Sequence, residues 1–388
     1  MKTPGPTFYL ALALGISLAG CAPQAVSSAP DSASATPADQ AAPANQTAQV
    51  ERKVLVQGLY ELAYSPRQNA VFVASSGGWG DDAKAKILRL NPQTLAVEGE
   101  IALDRKAFGV SLDDAGGRLY VGNTVDLSVT VVDIVNNRVV GVVQLEEKTK
   151  GDDGKERYPR DLRELVVDPA NNRLFLQGHG AESVLYVVNT KTLTVEKIIP
   201  GLGGPKAPGL AFDPAGQRLF ITNLKGELLT VSTRTLEITQ RVQTETEQPL
   251  NIAFDPASRR LFVTDQGLAS IREFQTKAIP GFQSKQPGNR VAVLDADSGQ
   301  QVHSIPTDAG PMGILLDAQR QRLYVTNRAA GNVAVYDSRT YALLQTIALP
   351  THPNSLALNA QANAVYVSIK NGETDAKDAP ESVARLQF

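Results

Sequence analysis

Asp168-Pro169-Ala170-Asn171-Asn172-Arg173-Leu174-Phe175 recurs as Asp213-Pro214-Ala215-Gly216-Gln217-Arg218-Leu219-Phe220 and again as Asp255-Pro256-Ala257-Ser258-Arg259-Arg260-Leu261-Phe262. Weaker copies occupy 65–72, 113–120, 317–324 and 359–366, so the closing aromatic falls at Phe72, Tyr120, Phe175, Phe220, Phe262, Tyr324 and Tyr366. Self-similarity at a regular spacing marks a repeat architecture, and units of roughly 40 to 60 residues fit propeller blades. In each unit an apolar strand such as 250–254 runs into the Asp-Pro-Ala turn, whose residue types suit a tight reversal. A second strand follows, as at 260–264. A third alternates apolar residues and ends on Asp, as in Val333-Ala334-Val335-Tyr336-Asp337, and a weaker outer strand such as 343–349 completes the set. Four strands per unit and seven units predict an all-β fold, a seven-bladed β-propeller.

The ends of the pattern predict how the ring closes. The last unit stops after a third strand, 383–388, whereas the folded region opens with Arg52-Lys53-Val54-Leu55-Val56-Gln57, which reads like a fourth strand. The N-terminal strand is therefore expected to complete the last blade and remove the open edges that a linear array would leave. The propeller is placed at 51–388.

Ahead of it, the chain reads differently. Residues 1–20 hold Lys2 and an apolar run over 8–18, the parts of an export signal. Leu18-Ala19-Gly20-Cys21 resembles a lipobox, which implies lipidation of Cys21, the only cysteine, and anchoring to a membrane. With Ala22 next, the resemblance implies the periplasmic side of an outer membrane. Residues 21–50 are dominated by Ala, Ser, Pro, Gln and Thr, with no aromatic residue, and read as a disordered tether.

Tyr324-Val325-Thr326-Asn327 spells out a repeat signature, with close variants at Phe220-Ile221-Thr222-Asn223, Phe262-Val263-Thr264-Asp265 and Tyr120-Val121-Gly122-Asn123. On these residues the region 51–388 resembles the YncE-like family of YVTN propellers. The resemblance implies the fold; its members share no single reaction, so function has to be read from a site.

The 388 residues are 42% hydrophobic and carry 38 Lys and Arg against 40 Asp and Glu, a net charge of -2. That balance supports a sizeable core and supplies no overall field for a polyanion. One cysteine and three histidines exclude a disulfide framework and a multi-cysteine zinc site. No phosphate-binding loop, nucleophile elbow or metalloprotease helix motif is present, so no catalytic residue and no cofactor is assigned.

Loop lengths point to one face. Turns joining first to second and third to fourth strands are short, whereas the insertions 75–84, 146–161, 266–288 and 371–381 all fall at the opposite end of the strands. Long loops on a rigid scaffold are where binding resides. The entries of the innermost strands should ring the channel mouth there: Tyr60-Glu61, Phe108-Gly109, Arg163-Glu164, Pro208-Gly209, Leu250-Asn251, Met312-Gly313 and Asn354-Ser355. Glu61, Glu164, Asn251 and Asn354 could hold a Ca²⁺-like cation, as in lactonase propellers; alternatively Glu164 pairs with Arg160 or Arg163. Asn123, Asn223, Asp265 and Asn327 are expected to cap their own turns through backbone amides. His179, in a loop, and His352 are the histidines on this face available to a tetrapyrrole. Basic and aromatic residues mix at Arg157, Tyr158 and Arg160 and at Arg272, Phe274, Lys277, Phe282, Lys285 and Arg290, a composition that also suits single-stranded nucleic acid. Trp79 could grip a sugar or peptide, or could pin its own loop. The reading is a monomeric envelope lipoprotein binding a protein or peptide through Glu61, Arg160, Arg163, Glu164, Asn251 and Asn354. The alternatives are a metal-dependent lactonase-like hydrolase and a single-strand nucleic-acid binder.

Overall fold

The computed structural model describes residues 47–80, 83–151, 153–376 and 378–388. The expected signal segment, Cys21 and most of the tether lie outside the described residues.

Each repeat is a turn before it is anything else. Asp113 Oδ1 accepts a hydrogen bond from the Gly116 amide at 2.9 Å, and Asp213 Oδ1 from the Gly216 amide at 2.8 Å. The residue before the second strand, at 69, 117, 172, 217, 259, 321 and 363, is left-handed in all seven units, with φ between 43° and 65°. A side-chain oxygen cap, from Asp in five units, Ser65 in the first and Asn359 in the last, and one left-handed residue reverse the chain within five residues, so the second strand pairs tightly with the first.

The strands assemble into seven four-stranded antiparallel sheets, in chain order within each of the first six. Pro249–Asp255, Arg260–Asp265, Arg290–Asp295 and Gln301–Pro306 form one such blade. The seventh is built from two ends of the chain: Gln49–Val54 pairs with Ser382–Gln387, Gln49 opposite Gln387 and Val54 opposite Ser382. The closing strand thus starts at Gln49, three residues ahead of the Arg52 at which the sequence pattern opened it. The innermost strands touch their neighbours all the way round, and Leu59–Ser65 meets both Gly109–Asp113 and His352–Asn359.

The repeated aromatic explains why the ring holds. Phe72 packs with Leu119 and Val121 of the next blade, Phe175 with Leu219 and Ile221, and Phe220 with Leu261 and Val263. Tyr120, Phe262 and Tyr324 do the same at their own boundaries. At the closing boundary Tyr366 packs with Val71 and Val73 of the first blade and donates its hydroxyl to the Pro92 carbonyl at 2.8 Å. Second strands are buried on both faces because one face meets the preceding aromatic and the other supplies its own.

The insertions stand together on one face. The segment 266–288, read from sequence as a loop, contains the ten-residue helix α1, Ala269–Ala278, and 146–161 carries a small hairpin, Thr149–Lys150 with Glu156–Arg157. No helix among the described residues is long and apolar enough to cross a membrane.

Candidate binding site at the channel mouth

The mouth is built by backbone irregularity. In five of the seven blades the register of the innermost strand slips at its entry: between Leu59 and Leu62, Leu162 and Leu165, Pro249 and Ile252, Pro311 and Ile314, and Pro353 and Leu356. Each slip is a bulge, which re-aims side chains that a regular strand would send to opposite faces. The bulged residues are five of the seven pairs expected from sequence to ring the mouth. The other two blades enter at Gly109 and Gly209, and a Cβ on Gly209 would stand 2.2 Å from Thr222 Oγ1, so crowding near the axis dictates the missing side chain.

Glu61 and Glu164, from separate blades, do converge, but on a cation the protein supplies itself. One Nη of Arg163 lies 3.1 Å from Glu164 and 3.7 Å from Glu61, and the other donates to Asn251 Oδ1 at 2.9 Å. Glu61 also accepts the Val110 amide at 2.9 Å. Burial, then the charge of Glu164, pushes the Glu61 carboxyl up to about 8, against the opposing pull of Arg163. The guanidinium therefore occupies the position that a Ca²⁺-like ion would need. Asn354 is turned elsewhere, its Oδ1 accepting from Arg328 at 2.7 Å. The four oxygen donors do not make a common cation site, and among the described residues no group of three or more His, Cys, Asp or Glu could hold a metal.

Arg160 stands apart from this cluster. Its guanidinium binds the Glu146 carboxylate, which also accepts the Tyr186 hydroxyl, and its Nε donates to the Glu182 carbonyl at 3.2 Å. It fastens the 146–161 insertion to its blade and does not line the mouth. Glu164 finds Arg163, not Arg160, as its partner.

Above the cluster opens a cavity of about 450 Å³. Tyr60, Trp79 and Phe108 form an aromatic shelf on one side, with Tyr60 and Phe108 edge to face at 4.6 Å and Trp79 to Phe108 at 5.8 Å. Trp79 is 67% exposed. Leu268 and Ile271, from the α1 insertion, and Met312 add apolar wall. The insertion is held firmly: Gln275, fully buried, donates to the carbonyls of Leu224 and Glu247, and the Glu247 carboxylate caps the amides of Lys285 and Gln286.

Arg328 is the residue that the sequence reading missed. It directly follows the Tyr-Val-Thr-Asn signature, where no repeat pattern singles it out. Among the described residues its guanidinium meets only neutral groups at close range, Asn354 Oδ1 and the Met312 sulfur at 3.8 Å. Burial lowers its basicity, against weaker support from Tyr60 and Glu381. Glu381 is itself paired to Lys370 at 2.8 Å, and that ammonium sits 3.9 Å over the Tyr60 ring.

The remaining candidates divide by partner. Asn223 caps its own turn as expected, accepting the amides of Lys225 and Glu227, whereas Asp265 accepts those of Glu247 and Gln248, in the segment ahead of its innermost strand. Asn123 instead accepts the hydroxyls of Ser128 and Thr130, and Asn327 donates to Asn332. Several of the cations offered for nucleic acid are engaged internally: Arg157 with Asp153, Arg272 with the carbonyls of Gln286 and Pro287, and Arg290 with Asp265. His179 is not in a loop: it ends the strand Arg173–His179 and is buried. His352 opens an innermost strand.

No protein-family model matches the chain. Proteins of Salmonella typhimurium strain LT2 and Escherichia coli K12, each bearing the name "Uncharacterized protein YncE", are 33% identical over 337 residues, 86% of this chain and 90% of theirs. A more distant relative is antigen Lp49 of Leptospira interrogans, 22% identical over 55% of this chain and 44% of its own. Among solved structures, Kuenenia stuttgartiensis hydrazine synthase superposes with a TM-score of 0.64 at 16% identity, covering 82% of this chain and 94% of that one. The β-propeller domain of Myceliophteria thermophila Cps50 (Swd1) gives 0.64 at 10% identity, covering 88% and 99%. These structures share the fold alone. With a third of the aligned residues identical to the two enterobacterial proteins, over 86% of this chain and 90% of theirs, this seven-bladed propeller belongs to the YncE family.

Proposed function

We propose that the protein is a lipid-anchored envelope receptor whose channel mouth binds the carboxylate-bearing end of a peptide or protein partner. The observation that carries the reading is Arg328, a half-buried guanidinium that opens on the cavity and, among the described residues, has no carboxylate within ion-pair distance. A planar fork of donors is suited to a carboxylate. The shelf of Tyr60, Trp79 and Phe108 gives an adjoining apolar side chain a surface, and Asn251, Gln266 and Asn354 supply amides for a peptide backbone. Binding sites of this kind are mostly apolar with few placed polar groups. A hydrolytic reading that uses Glu61, Glu164, Asn251 and Asn354 around a metal finds no support, because Arg163 fills the centre of that set.

The test is thermal unfolding of the full chain with short peptides ending in a free carboxylate. Peptides that bind the native state raise the midpoint by mass action, and Arg328→Gln should abolish the rise. A rise of equal size with Ca²⁺ alone would favour the hydrolase. The anchor is checked separately: Cys21→Ser should lose incorporation of labelled fatty acid and move the protein from the membrane to the soluble fraction.

A further inference from the structure

Beside the mouth, beneath α1, lies a second compartment of about 340 Å³. Its apolar wall includes Pro208, Leu224, Ile271 and Phe274, and among the described residues no acidic one lines it. Two polar groups point to its use. His179 is 7% exposed; its Nδ1 accepts the Ala207 amide at 3.4 Å, which places the imidazole proton on Nε2. That Nε2 is buried and has no hydrogen-bond partner. A donor in this state costs stability unless something fills it. Lys206 reaches the same space, its ammonium 5.9 Å over the Phe274 ring, with no carboxylate in ion-pair contact among the described residues. Arg163 borders the compartment, but its charge is already met by Glu164 at 3.1 Å. The first turn of α1, which carries no acidic residue, closes the site with Ser270 and Ile271.

We propose that this compartment binds a small organic anion, a carboxylate or phosphate on an aromatic or branched apolar body, with the Nε2–H of His179 donating to the anion and Lys206 neutralising it. The apolar body would lie against Phe274 and Leu224. The site adjoins the mouth, sharing Arg163, Leu250, Gln266 and Ile271 with it, but its own polar groups are His179 and Lys206, and Arg328 does not line it.

The probes are 2-naphthoate and 2-naphthyl phosphate, with 2-naphthol as the uncharged control, titrated calorimetrically into the full chain near neutral pH. One anion or both should bind, and whichever binds more tightly identifies the head group. Lys206→Gln and His179→Phe should each weaken binding by about tenfold or more, the scale of a lost charged hydrogen bond. Arg328→Gln should leave it unchanged, and 2-naphthol should bind more weakly by a similar factor. Histidine nitrogen NMR of the unmutated protein gives a readout that survives a misfolded variant: the probe should shift the Nε2–H signal of His179 and leave His303 in place. No binding of either anion, binding that withstands both substitutions, loss on Arg328→Gln instead, or an unmoved His179 signal would overturn the proposal.

Discussion

Glu61 shows how much one side chain here depends on its surroundings. Its carboxyl is held up to about 8 by burial and by Glu164, so between its ordinary value and that one the folded protein holds a proton that the unfolded chain has lost. Stability from this residue is complete below the ordinary carboxylate range and falls as pH rises toward 8. Glu61→Gln keeps an acceptor for the Val110 amide and removes the titration. It should therefore gain stability over the unmutated protein by one to a few kcal/mol, in rough terms, at pH 9 and gain much less at pH 5; chemical denaturation at the two values checks this. His179 acts in the opposite sense. Burial, then Lys206 and Arg163, pulls it down to about 3, so its contribution is present above its ordinary value and is lost as pH falls from there toward 3. His179→Phe should flatten the acid limb of the same curve. Neither behaviour was legible in the sequence. Glu61 and Glu164 were visible as candidates because a repeat fixes which residues open each inner strand, but the convergence of both on Arg163 depends on the ring's diameter and on side-chain reach. Arg328 was invisible for a related reason: it follows the signature in one blade only, and its cavity is made by residues from several others.

At the scale of the element, the inner strands carry the design. Their bulges turn consecutive residues toward one opening, and the glycines beside them mark where backbone approaches backbone. A Cβ on Gly313 would stand 2.5 Å from the Asn354 carbonyl oxygen of the neighbouring blade, a contact that cannot be relieved by rotating a side chain. Gly313→Ala should destabilise the protein by about 1–3 kcal/mol and displace Asn354, the hydrogen-bond partner of Arg328; denaturant midpoints and peptide affinity would both register it. Elements were legible to the degree that repetition exposed them. The Asp-Pro-Ala turns announced the strands on either side, because a cap and a left-handed residue are local requirements. Helix α1 was hidden since it occurs once, in a single insertion, and is held by Gln275 reaching the carbonyls of Leu224 and Glu247, contacts distant in sequence.

For the whole molecule, closure is the decisive feature. Seven aromatic boundaries are equivalent in kind, yet the last blade is complete only when Gln49–Val54 zips onto Ser382–Gln387. The count of seven and the closing strand could both be read from the pattern, since each follows from repetition and from one missing fourth strand. A chain lacking 49–54 should expose the edge of Ser382–Gln387 and the apolar residues beneath it. Its unfolding midpoint should drop and its tendency to associate should rise in light scattering; a truncated chain as stable and as monomeric as the whole would contradict the closure account. A closed, rigid ring is also what allows residues from different blades to hold one cavity open in fixed geometry, and the mouth is where that rigidity has a use. The claim that this mouth takes a carboxylate is met most directly by calorimetric titration of the full chain with one short peptide ending in Phe, prepared as the free acid and as the amide. The account predicts that the acid binds about tenfold or more tightly than the amide and that Arg328→Gln erases the difference. Equal affinity for the two forms, or a preference that persists in Arg328→Gln, would contradict it.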